Sequence, residues 1–479
     1  MLKKLLIIFF LLLFCIVSMT SCFVVVNKDN VNTDGNGGKE TTQTADKPQK
    51  VTPMADVLEN ATEKSEEALS KAFADKDFQN QSFTVTMAHD TFVKLGKKQE
   101  TTFLRALQLQ SQLISGKLNC TLYTNRFPYS SILSDTKTAI DTGAFYADVL
   151  IVPQKSIGYL RQNGVLYDLK ELYEDALGEE DCDVNNTLQL LGGKSLYGLV
   201  GNGVLSPSAY YCVYFNKDIT DSFNLTSEIY DCAKNGNWTL SSMIENGRKC
   251  IGENVFVTSA NTQEVFIESM FSSSGMKYFN TEDNGLPTVK DNGDRFDNFV
   301  EHMRQLIVTE EVLFGDDAFD MFKNGKSVFY IDTLDKALEL NNNFGILPLP
   351  KFDTEQGTYY THTSGDALVF TVPKTGARTD YSLDLIKAYN RTAKLIEDAW
   401  ARDFLDNVLR DAQSYSMLKI IFENASYDFA YMYGELYPSV ADLSYNALKK
   451  AVEGQDTFEN YVKANKAQFD KDMNALFAQ

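Results

Sequence analysis

The chain has 479 residues and a formal net charge of −20, with 44% hydrophobic and 12% aromatic residues. That acidity argues against a nucleic-acid or anionic-membrane partner, because phosphate binding needs basic patches. The apolar content suffices for a substantial core, and the length suits one large domain or two lobes.

The chain opens on Lys3 and Lys4, an uncharged apolar run from Leu5 to Val17, and Met19-Thr20-Ser21 before Cys22. A run this short, followed by small residues, is expected to be an export signal rather than a membrane span. The Met-Thr-Ser-Cys ending resembles the bacterial lipoprotein lipobox, with Met in place of the usual Leu. The resemblance implies a signal peptide over residues 1–21, lipidation at Cys22 and anchoring at the outer face of the bacterial cytoplasmic membrane. A plain secretory peptide and a short N-terminal anchor are the alternatives. From Asn27 to Lys50 the residues are almost all Asn, Asp, Gly, Thr, Lys and Gln. So little apolar surface cannot offset the entropy of ordering, so residues 22–54 are expected to act as a flexible tether.

In the body, Phe83 to Ala88 predicts a strand leading into a polar turn at His89 and Asp90. Thr101 to Ser115 places Leu104, Leu107 and Ile114 at helical spacing. Lys117 to Tyr123 predicts a second strand, Tyr129 to Thr142 a helix, and Ala147 to Val152 a third strand. That third run is continuously apolar, as a parallel strand covered on both faces should be. Pro153 ends it, and Ile157 to Gln162 predicts a helix. Such alternation implies an α/β sheet with right-handed crossovers, whose ligands bind at the carboxyl ends of the strands. Further strands are predicted over Tyr210–Asn216, Ser327–Ile331 and Ala367–Val372. Phe458, Tyr461, Val462, Phe469, Met473 and Leu476 keep helical spacing to the end. Cys120, Cys182, Cys212, Cys232 and Cys250 are odd in number and lack CxxC spacing. They indicate neither a disulfide framework nor a zinc site, and leave free thiols or one bridged pair.

Several segments in order resemble the extracellular solute-binding proteins, the maltose-binding-like receptors of ABC importers. They are Tyr146 to Pro153 with Ile157 to Leu166, Tyr214 to Asp218 with Asn235 to Thr239, and Phe322 to Ser327 with Phe344 to Lys351. Tyr359-Tyr360-Thr361 and Val372-Pro373-Lys374-Thr375 continue the order. Leu409 to Asp411, Met417 to Phe422 and Tyr427-Asp428 resemble a clostridial-type branch of extracellular solute-binding protein family 1. The resemblance implies an α/β, two-lobed periplasmic-binding-protein-like fold of type II. Lobe one would comprise 55–205 plus 350–410, and lobe two 206–349 plus 411–479. The chain would cross between lobes near Gly203 to Ser208, near Pro350 to Thr361, and again after Tyr389. Hinge closure around a solute is what a permease would read.

The same resemblance points to Gln154 after the third strand, Tyr210 and Tyr211 past the first crossing, and Asp332 and Thr333 after the Ser327 strand. It adds Tyr360, His362 and Asp366 at the return crossing and Tyr433 near the last wall-forming helix. Many sugar-binding relatives carry an aromatic platform where Asp332 and Thr333 stand. A Tyr ring stacks on the C–H face of a sugar, while Asp, His and Gln bond its hydroxyls. Trp238 and Trp400 are expected in the core, as are most of Tyr427, Tyr431, Tyr433 and Tyr437, with one or two facing the cleft.

Catalytic motifs are wanting. Gly193-Lys194-Ser195 and Gly325-Lys326-Ser327 have Leu188 and Asp320 where a P-loop needs its first Gly. His89, His302 and His362 are dispersed, and Asn280 to Asp291 reads as a polar hairpin connection rather than a calcium loop. The expected protein is a non-catalytic, monomeric receptor without cofactor or metal. Its partners are a small polar solute, a sugar or oligosaccharide first, and the transmembrane subunits of an ABC permease. It meets the membrane only through its lipid and binds no nucleic acid. An exported carbohydrate-active enzyme, or a surface sensor or adhesin of the same fold, is the alternative.

Overall fold

A computed structural model describes residues 54–88, 102–173, 181–183, 186–187, 195–251, 255–281, 286–309, 312–376, 378–409 and 411–477. Cys22, the signal, nearly all of the tether and the His89–Asp90 turn lie outside the described residues. No helix among the described residues is long and apolar enough to cross a membrane.

Two sheets form the frame. The first has the order β12-β3-β1-β2, from β1 (Ser82–Ala88), β2 (Thr121–Phe127), β3 (Val149–Pro153) and β12 (Leu368–Thr371). Strands β1, β2 and β3 run parallel, and every residue of β3 is buried, as its unbroken apolar run requires. Strand β12 pairs antiparallel with β3, so the sheet is mixed rather than purely parallel. It comes from late in the chain and enters from the opposite end. The second sheet, β10-β4-β9-β5-β8, is built from β4 (Tyr211–Asn216), β5 (Phe256–Ala260), β8 (Val312–Phe314), β9 (Ser327–Thr333) and β10 (Phe344–Leu347). It too is mixed: β5 runs parallel to β8 and β9, while β4 runs antiparallel to β9 and β10.

Two boundaries differ from expectation for identifiable reasons. The Thr102 helix continues to Leu118, and β2 begins only at Thr121. The stop is Asn119, whose φ of 49° breaks the helix after the apolar run that suggested an earlier strand. Strand β9 runs on to Thr333, because Tyr211 and Cys212 of β4 pair with Thr333 and Asp332. Those two residues therefore end the strand rather than follow it. The Asn280 region is a hairpin of β6 (Phe279–Thr281) and β7 (Pro287–Val289), while residues 282–285 lie outside the description.

Core packing follows the apolar pattern. Trp238 and Trp400 are both fully buried, as expected. Trp238 donates from its indole N–H to Pro348 O at 3.0 Å and packs on Phe329; Trp400 stacks on Phe404 at 4.5 Å. Asp148, at the start of β3, is the conspicuous buried charge. It accepts two bonds from Arg378 at 2.9 Å and one from Thr84 N at 2.8 Å. Burial raises its pKa while these donors oppose the rise, so the carboxylate ties β1, β3 and the approach to the Thr379–Arg391 helix together. The five cysteines of the body are free thiols.

Three segments join the sheets side by side. Residues 200–210 lead from the first sheet, where Leu199 bridges Phe370, to β4 in the second. Residues 348–367 return, carrying β11 (Thr361–His362), and the chain passes again at β13 (Ala425–Ser426). Thr361 and His362 pair with Ala425 and Ser426, and Tyr210 bridges Thr363. Gly203 lies at the first passage because nothing larger fits there. A Cβ on it would stand 2.5 Å from the backbone carbonyl of Tyr389. Gly203→Ala is expected to cost about 1–3 kcal/mol through this overpacking, read as a lower urea midpoint. An unchanged midpoint would mean the passage gives way freely.

Candidate functional site

The carboxyl end of β3 supplies Gln154 and Lys155, and the turn before β12 supplies Gly365 and Asp366. They face the helix Gln263–Ser273, which follows β5, and the helices Phe429–Tyr433 and Tyr445–Val452. Between them lies a cavity of about 250 Å³ lined by Lys155, Glu268, Gly365, Asp366, Ala430, Tyr431, Glu435 and Tyr445. It thus draws on residues next to strands of both sheets, beside the crossing segments. Strand ends are where α/β sheets present ligands.

Lys155 holds the first-sheet side. Its Nζ lies 3.0 Å from Asp366 and 3.7 Å from Glu435, and 5.7 Å from the Tyr129 ring centroid. Burial alone would lower the lysine pKa, but the two carboxylates outweigh it and hold the ammonium firmly charged. The backbone of the two strand ends is stapled, with Gln154 N donating to Ala367 O and Lys155 N to Gly365 O. Opposite stands Glu268, whose carboxyl is pushed up to about 7, first by burial and then by the nearby Glu264. Tyr431 and Lys449 oppose that rise.

Aromatic rings form a column through the site. Tyr211 lies 4.8 Å from His362, His362 lies 5.0 Å from Tyr431, and Tyr431 is parallel to Tyr445 at 6.4 Å. His362 is buried, and its pKa falls to about 3, first through burial and then through Lys277. It is therefore a neutral ring at physiological pH. Burial lifts the Tyr445 hydroxyl to about 12, with Glu268 the next cause.

The residues singled out from the sequence divide into groups. Asp366 lines the cavity itself, and Gln154 adjoins Lys155 with its amide donating to Ser364 O at 2.9 Å. Tyr211 and His362 stand behind Tyr431 in the aromatic column. Asp332 and Thr333 belong to a separate knot, where Asp332 accepts from Tyr330 at 2.5 Å, Asn261 at 3.1 Å and Thr333 N at 2.7 Å. Burial still keeps the Asp332 pKa raised. Tyr360 is half-buried, with its ring where a Cβ on Gly275 would stand, at φ +77°. Tyr210 packs against Phe422 in the core, and Tyr433 is fully buried between Phe429 and Phe477. Neither lines the cavity.

Lys155, Glu268, Tyr431, Glu435 and Tyr445 line it without having been singled out. Lys155 needed only one step past Gln154. Tyr431 was one of a tyrosine series whose cleft-facing member depends on the rotation of a single helical turn. Glu268 sits on the helix after β5, a strand the hydropathy pattern did not reveal. Among the described residues, no cluster of three or more His, Cys, Asp or Glu is placed to hold a metal.

Glu268 makes a test of the site's electrostatics. Its carboxyl titrates near 7 when folded and near 4.5 when unfolded. Between those values the folded state binds the extra proton, so the stability Glu268 contributes falls as pH rises through that window. Melting temperatures from pH 4.5 to 7.5 should decline more for wild type than for Glu268→Gln; parallel curves would contradict the buried carboxyl.

No family model matches the chain, and no curated protein matches it. Solved structures do match. The galacto-N-biose-/lacto-N-biose I-binding protein of the ABC transporter from Bifidobacterium longum is 10% identical, with a TM-score of 0.52 over 84% of this chain and 98% of its own. The sugar-binding protein MalE from Xanthomonas citri is 12% identical, with a TM-score of 0.53 over 82% of this chain and 98% of its own. The fold is that of the two-lobed solute-binding proteins.

Proposed function

We propose that this chain is a lipid-anchored extracellular receptor that captures a carbohydrate and hands it to an ABC importer. The observation that carries the reading is the cavity walled by Tyr431 and Tyr445 beside the returning segment at Gly365 and Asp366, in a fold shared with two sugar-binding proteins. Parallel tyrosine faces suit the apolar faces of sugar rings, and the surrounding carboxylates and lysine suit hydroxyls. Hinge motion about the crossing segments would close the lobes on the solute and give a permease a shape to read. The ordered motifs support placing the chain in extracellular solute-binding protein family 1, on its clostridial-type branch. The lipobox-like Met19 to Cys22 supports anchoring at the outer face of the cytoplasmic membrane, with the receptor a non-catalytic monomer tethered beside its permease.

A thermal-shift screen of residues 51–479 against mono- and oligosaccharides, amino acids and polyamines tests the binding reading. A true ligand at about a hundred times its dissociation constant adds about 2.7 kcal/mol of stability. A flat response to every sugar would overturn it. Cys22→Ala should release the protein from membranes without changing its melting temperature, and membrane retention of that variant would contradict the lipid anchor.

The enzyme alternative keeps one observation in its favour. Glu268, protonated up to about pH 7, shares a cavity with Asp366, and an acid beside a second carboxylate is what glycoside hydrolysis uses. Steady product release from an oligosaccharide, lost in Glu268→Gln, would establish it over the receptor.

A further inference from the structure

The charge of the cavity is unbalanced. Three carboxylates line it, Glu268, Asp366 and Glu435, against the single cation Lys155. That lysine is already shared between Asp366 and Glu435. Lys449, the nearest cation to Glu268 from the neighbouring helix, is paired with Glu264 at 3.2 Å. Glu268 therefore has no cation of its own among the described ion pairs. A buried, unpaired carboxylate is unfavourable unless something supplies the missing charge or proton. The Tyr431 hydroxyl, on the cavity wall, is buried beside the Glu268 carboxyl and holds its pKa down, so the group facing Glu268 across the cavity edge is a neutral hydroxyl and not a cation. The parallel faces of Tyr431 and Tyr445 also favour a cation near the ring.

We propose that the solute taken into this cavity is a carbohydrate carrying a protonated amino group, an inference that rests on the receptor reading above. The ammonium supplies N–H donors to the carboxylates of Glu268 and Asp366 and the charge that Lys155 alone does not. The ring carbons lie against the tyrosines. A ligand bearing phosphate or carboxylate meets net repulsion, and a neutral sugar leaves the acidic excess uncompensated.

Isothermal titration of the detergent-solubilised full-length protein with the β-1,4-linked glucosamine disaccharide and with cellobiose tests this directly. The two differ only in amine against hydroxyl at both C2 positions. The amino sugar should bind about ten- to a hundredfold more tightly, the range expected of charge-assisted hydrogen bonds. Glu268→Gln and, independently, Asp366→Asn should each shrink that ratio about tenfold, with the amino sugar losing more affinity than cellobiose in both variants. Equal or tighter binding of cellobiose overturns the inference and leaves the receptor standing. Binding of spermidine with neither disaccharide overturns the carbohydrate class. Binding of none of the three, with a flat thermal response to other sugars, removes the receptor reading as well.

Discussion

Trp238→Ala is expected to destabilise the protein by about 3–5 kcal/mol, the range for truncating a fully buried large aromatic. The ring has no exposure to solvent, lies edge-on to Phe329 in β9 and donates to Pro348 O just after β10. It therefore joins the helix-start segment Trp238–Thr239 to two strands of the second sheet. Lys351 N donates to Trp238 O and Leu240 N to Lys351 O, so the backbone around the ring is tied to the same returning segment. Truncation leaves a cavity, removes the aromatic contact and orphans the Pro348 carbonyl together, and backbone ties on both sides limit collapse. Urea unfolding should show a lower midpoint with an unchanged slope. Full stability with lost ligand binding would instead put Trp238 in the cleft.

Tyr431→Ala is expected to weaken ligand binding about thirtyfold, or about 2 kcal/mol, as for a central aromatic anchor. Tyr431 lines the cavity and stands directly between His362 and Tyr445, so its loss removes the wall and loosens what lies behind it. Tyr433→Ala is the informative contrast. That ring is in the core against Phe429 and Phe477, so its removal should lower stability more than it changes affinity at a temperature where the variant stays folded. Equal affinity losses for both variants would mean that binding responds to the fold of this helical turn rather than to a cleft-facing ring.

These two tyrosines show how far the sequence was legible. The fold class, the strands β1, β3, β4, β9 and β12, and the burial of both tryptophans follow from apolar runs and their periods. Such runs report burial, and burial is what strands and cores require. Pairing direction was not visible, because antiparallel β12 and β3, which runs parallel to β1, carry the same buried apolar signal. Strand β5, with Phe256, Val257 and Ala260 around Thr258 and Ser259, has too mixed a pattern to stand out. With it went Glu268, whose role comes from a partner surface far away in the chain. At the site, the chain ends of β3 and the return passage before β12 were locatable, since turns follow strands. Which side chain of a turn or short helix faces the cavity was not, because Tyr431 and Tyr433 differ by a rotation that tertiary packing decides.

The central claim is that this cavity at the crossing segments is where a solute is held and where the lobes close. Hydrogen–deuterium exchange of the full-length protein, with and without a saturating oligosaccharide taken from the thermal-shift screen, tests it most directly. Slower exchange is predicted in residues 154–158, 263–273, 361–367 and 428–435, on both sides of the cavity at once. Protection confined to one lobe, or centred on the outer helices Ala393–Phe404 and Ala412–Glu423, would contradict it.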